Sequence, residues 1–278
     1  MGIGARVLLD MPRKTPERGP DWELYAAHRE EFTRAVLGAA PSPPGRVCVL
    51  GAGKCNDLDL ARLGQAFREV HLVDLLPASL ASAISREEPE LRKRLVPHAP
   101  VDLALLSGKR ASKWQQKAPS SAELEAAADS SLQEVLQRLP GPFDVVVSAC
   151  VLTQLGFALS QSFRDTHPLL GPLRLQTARL HLRTLLELTA PNGTALFVSD
   201  LASSTHYPLD TLPAGSRLND VLDDVLAKRA FYHVAHPELI ADLVAAEAPE
   251  RRLTRLKPWL WTGPQSRTYL VYGYALSN

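Results

Sequence analysis

Five short apolar runs, each closed by turn residues and followed by a stretch of helical period, constrain this chain more than any other feature. They are Arg46-Val47-Cys48-Val49-Leu50, Glu69-Val70-His71-Leu72-Val73-Asp74, a weaker run over 95–103 broken by two prolines, Phe143-Asp144-Val145-Val146-Val147-Ser148, and Thr194-Ala195-Leu196-Phe197-Val198-Ser199. A run that is apolar at consecutive positions, rather than alternating ones, reads as a strand buried on both faces. Such strands need helices on either side, and strands alternating with helices imply a parallel sheet.

The helical segments fall between them. The first begins at Asp21, where Leu24, Tyr25, His28, Phe32 and Val36 recur at three- and four-residue steps. It must stop before the stiff connector Pro41-Ser42-Pro43-Pro44-Gly45. Further helices are expected over 57–67, 77–94, a segment ending near Leu139, 173–189 and 217–247, with a loop over 156–171. Two closing runs, Arg252–Trp261 and Thr268–Ala275, are joined through Gly263-Pro264 and must therefore pair antiparallel. Residues 1–20, rich in Pro, Arg and Gly, read as a mobile lead-in.

Composition narrows the class. With 45% hydrophobic and 22% charged residues in 278, the chain is neither disordered nor fibrous. Its net charge of +1 gives no basic excess for nucleic acid, which is not the expected partner. The stretch from Lys109 to Lys117 around Trp114 holds too few charges to argue otherwise. Three scattered cysteines with no CxxC pair fit a reducing, cytoplasmic setting and leave no metal site to expect. No run is long enough to span a membrane, and the opening residues lack the apolar core of a signal peptide. Arg6 stands where a myristoylation signal needs Ser or Thr.

The chemistry centres on Leu50-Gly51-Ala52-Gly53-Lys54-Cys55-Asn56-Asp57. Glycines directly after a buried strand let the backbone turn sharply and let a ligand approach where a Cβ would collide. A bare βα turn would also use them, with Asn56 or Asp57 capping the next helix. Asp74 closes the second strand, 23 residues beyond Gly51, at the sheet edge where such folds bind ligands. There it can accept hydrogen bonds from both hydroxyls of a ribose, or simply cap the following helix. Together the two features favour an adenosine-containing ligand. A dinucleotide site wants G-x-G-x-x-G facing a pyrophosphate. Asp57 would repel that pyrophosphate but tolerates a ligand with a sulfonium and an amino group, such as S-adenosylmethionine.

At these positions the chain resembles the class I S-adenosylmethionine-dependent methyltransferases. Val49–Gly53 is similar to their first motif, Val70–Asp74 to the acidic second-strand motif, and Phe143–Ala149 to the fourth-strand motif. Leu188–Val198 is similar to their helix–turn–strand before the fifth strand, and Thr268–Ala275 to their antiparallel seventh strand. Cys55 and Asn192 depart from the family's glycines. The resemblance implies an α/β, Rossmann-like, seven-stranded and mostly parallel sheet with an antiparallel last strand. Helices would cover both faces, with an N-terminal arm and helical lid over 1–44 and the methyltransferase domain over 45–278. It implies that Gly51, Ala52 and Gly53 line the cofactor, that Asp74 holds its ribose and that Leu75 stacks on its adenine. Asp102 and Leu103 would reach the adenine, while Ser148, Ala149 and Cys150 would face cofactor and acceptor. Trp22 and Tyr25 would either cover this pocket or pack in the core.

A general base is needed only if the acceptor must first lose a proton. His167, oriented by Asp165, is the leading candidate, with His206 beside Tyr207 the next; an exposed loop histidine is the plain alternative for each. Thr153, Gln154 and Asp200 also come from this edge. Cys150 is discounted as a nucleophile, having no histidine close in sequence. The expected activity is methylation of a small molecule at oxygen or nitrogen, in a setting such as bacterial secondary metabolism, since Arg outnumbers Lys among the 31 basic residues. An RNA or protein acceptor is weaker, because Ser-Ala-Cys-Val follows the fourth strand instead of Asn-Pro-Pro-Tyr or Asp-Pro-Pro-Tyr. A binding protein without turnover and a NAD-dependent oxidoreductase are the remaining readings. Acceptor, pathway and oligomeric state stay open.

Overall fold

The computed structural model describes residues 21–278 except 107, 165, 264 and 265, so the predicted lead-in over 1–20 lies outside the described residues. A short turn of helix, α1 (Asp21–Leu24), leads into α2 (Ala26–Gly38) and then β1 (Arg46–Leu50). There follow α3 (Leu60–Ala66), β2 (Glu69–Val73), α4 (Pro77–Ser85), α5 (Pro89–Arg92) and β3 (Leu95–His98). The middle of the chain forms α6 (Gly108–Gln116), α7 (Ser121–Arg138), β4 (Phe143–Ala149), α8 (Val151–Ser162) and α9 (Leu170–Glu187). It closes with β5 (Thr189–Ser203), α10 (Leu218–Ala227), α11 (Pro237–Glu247), β6 (Arg252–Arg255), β7 (Trp259–Thr262) and β8 (Thr268–Ser277).

One sheet holds all the strands in the order β3-β2-β1-β4-β5-β8-β6, with β7 also paired to β8. The first five are mutually parallel and β8 runs antiparallel to β5. Alternate residues of β1 feed opposite layers. Cys48 and Leu50 join the core beneath α9, α10 and α11, while Val47 and Val49 join Phe32 and Val36 of α2 with Leu60 and Leu63 of α3. Trp114 is buried in a smaller cluster with Leu124, Leu132 and Phe163, so it packs in the core. Among the described residues no helix is long and apolar enough to cross a membrane.

Four expectations need correction. The sheet has eight strands instead of seven, because 252–261 splits around Pro258, which has no N–H to donate. The two pieces share one seat: β6 pairs the C-terminal half of β8 and β7 its N-terminal half. The third strand stops at His98, which leaves Asp102 in the loop beyond it. The helix expected from 57 begins at Leu60, capped by Asp59, whose carboxylate accepts the Arg62 N–H at 3.1 Å. The loop expected over 156–171 is helical at both ends, with α8 running to Ser162 and α9 starting at Leu170, and Thr153 and Gln154 stand on α8. Gly156 on α8 is there for contact: a Cβ on it would lie 2.5 Å from Val234 Cγ1.

The topology fixes where a ligand can enter. From β1 the chain moves outward through β2 and β3, then returns to place β4 on the other side of β1. Connections leave the carboxyl ends of β1 and β4 in opposite directions, opening a crevice between them.

Candidate active site

Sharp turning after β1 requires glycine at two points. Gly51 has φ +74° and Gly53 φ +52°, both in the left-handed region. The N–H groups of Gly51 and Ala52 both donate to Val73 O at 3.0 Å, tying the loop to the end of β2. The Gly53 N–H donates to Asp74 Oδ2 at 2.8 Å, and the Leu76 N–H to Asp74 Oδ1 at 2.8 Å. Glycine loop and carboxylate, 21 residues apart, thus meet at one point. A Cβ on Gly51 would sit 2.6 Å from Val151 Cβ, whereas one on Gly53 would find nothing nearer than Asp74 Oδ2 at 4.0 Å. One glycine is needed for packing against α8; the other leaves open space on the ligand side.

Beside Asp74, Leu75 is exposed at the edge of a recess of about 210 Å³ that it shares with Val101, Asp102, Val135 and Arg138. Val101 N–H donates to Asp74 O at 3.0 Å, which brings this loop alongside. Asp102 Oδ1 accepts the Ala104 N–H at 2.9 Å, and Leu103 is buried in the core.

At the end of β4 the side chains diverge. Ser148 turns into the layer of α9, its Oγ 2.7 Å from His181 Nε2. Ala149 is buried among the residues of the opposite layer. Cys150 has φ +49° and starts α8, its N–H donating to Val198 O at 3.1 Å. Burial, reinforced by the nearby Asp200 and Asp57 charges, holds its thiol protonated, as expected of a packing cysteine.

Two acids face this corner. Asp200 Oδ2 accepts the Thr153 hydroxyl at 3.2 Å, while Oδ1 is buried with no partner. Burial raises the Asp200 carboxyl, opposed by bonds from Cys150 and Thr153. Burial first and then the Asp200 charge push Asp57 up to about 7, against the pull of Arg29. Asn56 Oδ1 is likewise buried without a partner. Arg29 of α2 donates to Asn56 O at 3.0 Å, and Thr33 Oγ1 accepts the Asp59 N–H at 2.9 Å, so α2 lies against the glycine loop. Its Tyr25 and His28 pack on Trp261 of β7, at 4.5 and 4.8 Å between ring centroids.

Asp200 also lines a cavity of about 630 Å³. Thr153, Gln154 and Phe157 of α8 form one wall; His206, Tyr232, His233 and Tyr269 contribute others. His206 sits with Nδ1 at 3.1 Å from Ser203 Oγ and its ring edge-on to Tyr232 at 4.6 Å. Burial, with the Arg267 and His233 charges, lowers its pKa, so the imidazole is neutral near neutral pH. His167 lies elsewhere, lining neither space: its Nδ1 accepts the Leu169 N–H at 3.2 Å and its ring leans on Phe163. Asp165 lies outside the described residues.

The sequence reading missed Phe231, Tyr232 and Tyr269. The cluster Ala230-Phe231-Tyr232-His233 carried the available signal, an aromatic knot inside a segment taken as continuous helix. In the structure it leads into the short turn His233–Ala235 between α10 and α11.

No family model matches the chain, and no curated protein matches it. Among solved structures it is similar to the N-methyltransferase NodS from Bradyrhizobium japonicum WM9, at 14% identity over 91% of this chain and 98% of that one, TM-score 0.45. It is similar to an O-methyltransferase from Bacillus cereus in complex with SAH, at 13% identity over 99% and 89%, TM-score 0.43. A cyclopropane-fatty-acyl-phospholipid synthase-like protein from Lactobacillus casei ATCC 334 gives 10% identity over 98% of each chain, TM-score 0.49. These likenesses are of fold alone.

Proposed function

We propose that this chain transfers a methyl group from S-adenosylmethionine to a small molecule held in the 630 Å³ cavity. The observation that carries the reading is the 2.8 Å bond between Gly53 N–H and Asp74, made where the carboxyl ends of β1 and β2 meet. Asp74 spends one lone pair of each oxygen on the loop and keeps capacity for the two hydroxyls of a ribose. Gly51, Ala52 and Gly53 line the approach, Leu75 offers an apolar face for adenine, and Asp102 reaches the base from the same recess, with Leu103 packed behind it. The buried, unpartnered Asn56 Oδ1 beside the glycine loop suits a ligand with an amino group at its amino acid end. Two acids at that corner disfavour a pyrophosphate, and hence a dinucleotide.

When bound, S-adenosylmethionine supplies an electrophilic methyl group on a sulfonium. The chain's own residues then align and desolvate the acceptor. Ser148, Ala149 and Cys150, at the end of β4 where α8 begins, would lie between cofactor and acceptor. His206, neutral and inside the cavity, is the better placed base; His167 would need a different arrangement of its loop to take part. A cavity of this size suits one small molecule, as in bacterial secondary metabolism, better than a nucleic acid or protein segment.

The test is release of S-adenosylhomocysteine from S-adenosylmethionine in the presence of a panel of small amines and phenols. Acceptor-dependent release, reduced in His206→Ala, is expected. Cofactor binding with no acceptor-dependent release would instead mark a binding protein without turnover.

A further inference from the structure

The inner end of the cavity has a narrower chemistry than its volume suggests. A buried carboxylate oxygen with no partner is costly unless something arriving there donates to it, and Asp200 Oδ1 is such an atom on the cavity wall. Tyr232 and Tyr269 lie within electrostatic reach of Asp200 and line the cavity with Phe231, and such rings attract cations through their faces. Asp57 adds a second acid within range of Asp200. Guanidinium groups also stand at the cavity: Arg174 and Arg229 line it, and Arg267 bonds Tyr269. Arg174 bonds Ser160 at 3.0 Å. Ser160 lies two turns along α8 from Thr153, roughly 10 Å away at 1.5 Å per residue.

We infer that the cavity takes a protonated amine, seated between Asp200 Oδ1 and the rings of Phe231, Tyr232 and Tyr269. This rests on the cavity being the acceptor site proposed above, and names the acceptor's class. A neutral alcohol also donates a hydrogen bond, but it gains nothing from the rings or from the second acid. The ammonium gains from all three.

The test compares 2-phenylethylamine with 2-phenylethanol, the same skeleton with and without the charge. Binding of each is measured by calorimetry at neutral pH, with and without S-adenosylhomocysteine. The amine should bind at least about tenfold more tightly, the range expected of a charge-assisted bond plus cation–π contact. Asp200→Asn should reduce that preference to within about twofold. Equal binding of amine and alcohol to the wild type overturns the inference, and needs no variant to fold. So does a crystal of the amine complex in which the nitrogen is not bonded to Asp200. If S-adenosylhomocysteine fails to bind while the amine preference holds, the methyltransferase reading fails and the amine site stands. If S-adenosylhomocysteine binds and the preference is absent, the amine site alone fails.

Discussion

Replacing Gly51 by alanine places a methyl carbon 2.6 Å from Val151 Cβ and 2.8 Å from its Cγ2, on backbone at φ +74°. The left-handed conformation costs an L residue about 1–2 kcal/mol, and forcing a carbon into a packed site adds about 1–3 kcal/mol. Val151 cannot yield easily, because it begins α8 directly after the left-handed Cys150. Gly53→Ala is the control. Its φ is +52°, but the nearest atom to the new carbon is Asp74 Oδ2 at 4.0 Å, so only the conformational part remains. At about 2–4 °C per kcal/mol for a domain of this size, Gly51→Ala should lower Tm by about 10 °C and Gly53→Ala by about 4 °C. Ligand binding should invert the order of damage at Gly53. Its methyl group projects into the approach to Asp74, so S-adenosylhomocysteine affinity should fall by about tenfold or more in a protein that still melts cooperatively. Thermal melts and calorimetry on the two variants check both halves. Equal Tm losses, or a larger loss at position 53, would refute the reasoning.

Ser148→Ala leaves His181 buried with neither nitrogen bonded, since Nδ1 already has no partner, and should cost about 1–3 kcal/mol by chemical denaturation. Adding His181→Leu should recover much of that loss, because removing both polar partners is cheaper than stranding one; a double variant less stable than Ser148→Ala would argue against the pair. His28 is buried, and its Nδ1 accepts the Trp259 indole N–H at 2.9 Å, so it must stay neutral. Burial first, then the Arg29 charge, lowers its pKa from 6.5 to about 3. The unfolded chain therefore binds the extra proton first, and this group's contribution is present above pH 6.5 and lost as pH falls from 6.5 toward 3. Between neutrality and pH 4 the wild type should lose up to about 3 kcal/mol more than His28→Leu, with parallel slopes counting against the assignment.

What the sequence disclosed follows physical lines. The parallel strands were legible because burial on both faces leaves no polar positions, and Gly51, Gly53 and Asp74 because backbone turning and sheet topology together dictate where they meet. The start of α8 was not legible: Val151 follows β4 with no polar cap, the turn being made by a left-handed Cys150 that no local pattern requires. Ser148 was expected at the ligand edge, yet its partner His181 lies 33 residues on, and only packing brings them together. The cavity escaped for the same reason, since α8, β5, the turn at 233–235 and β8 each supply only part of it. The sequence offers Asp57 as an acid at a helix start; the structure places the cap at Asp59 and desolvates Asp57 beside Asp200.

The most direct test concerns the meeting of Gly53 and Asp74 around a single sugar. Wild type and Asp74→Ala are titrated with S-adenosylhomocysteine and with NAD by calorimetry. The wild type should bind S-adenosylhomocysteine saturably and NAD not at all. Loss of charge-assisted bonds should weaken the variant about 10- to 100-fold. Undiminished affinity in Asp74→Ala, or preference for NAD, would contradict the placement of an S-adenosyl cofactor in this crevice.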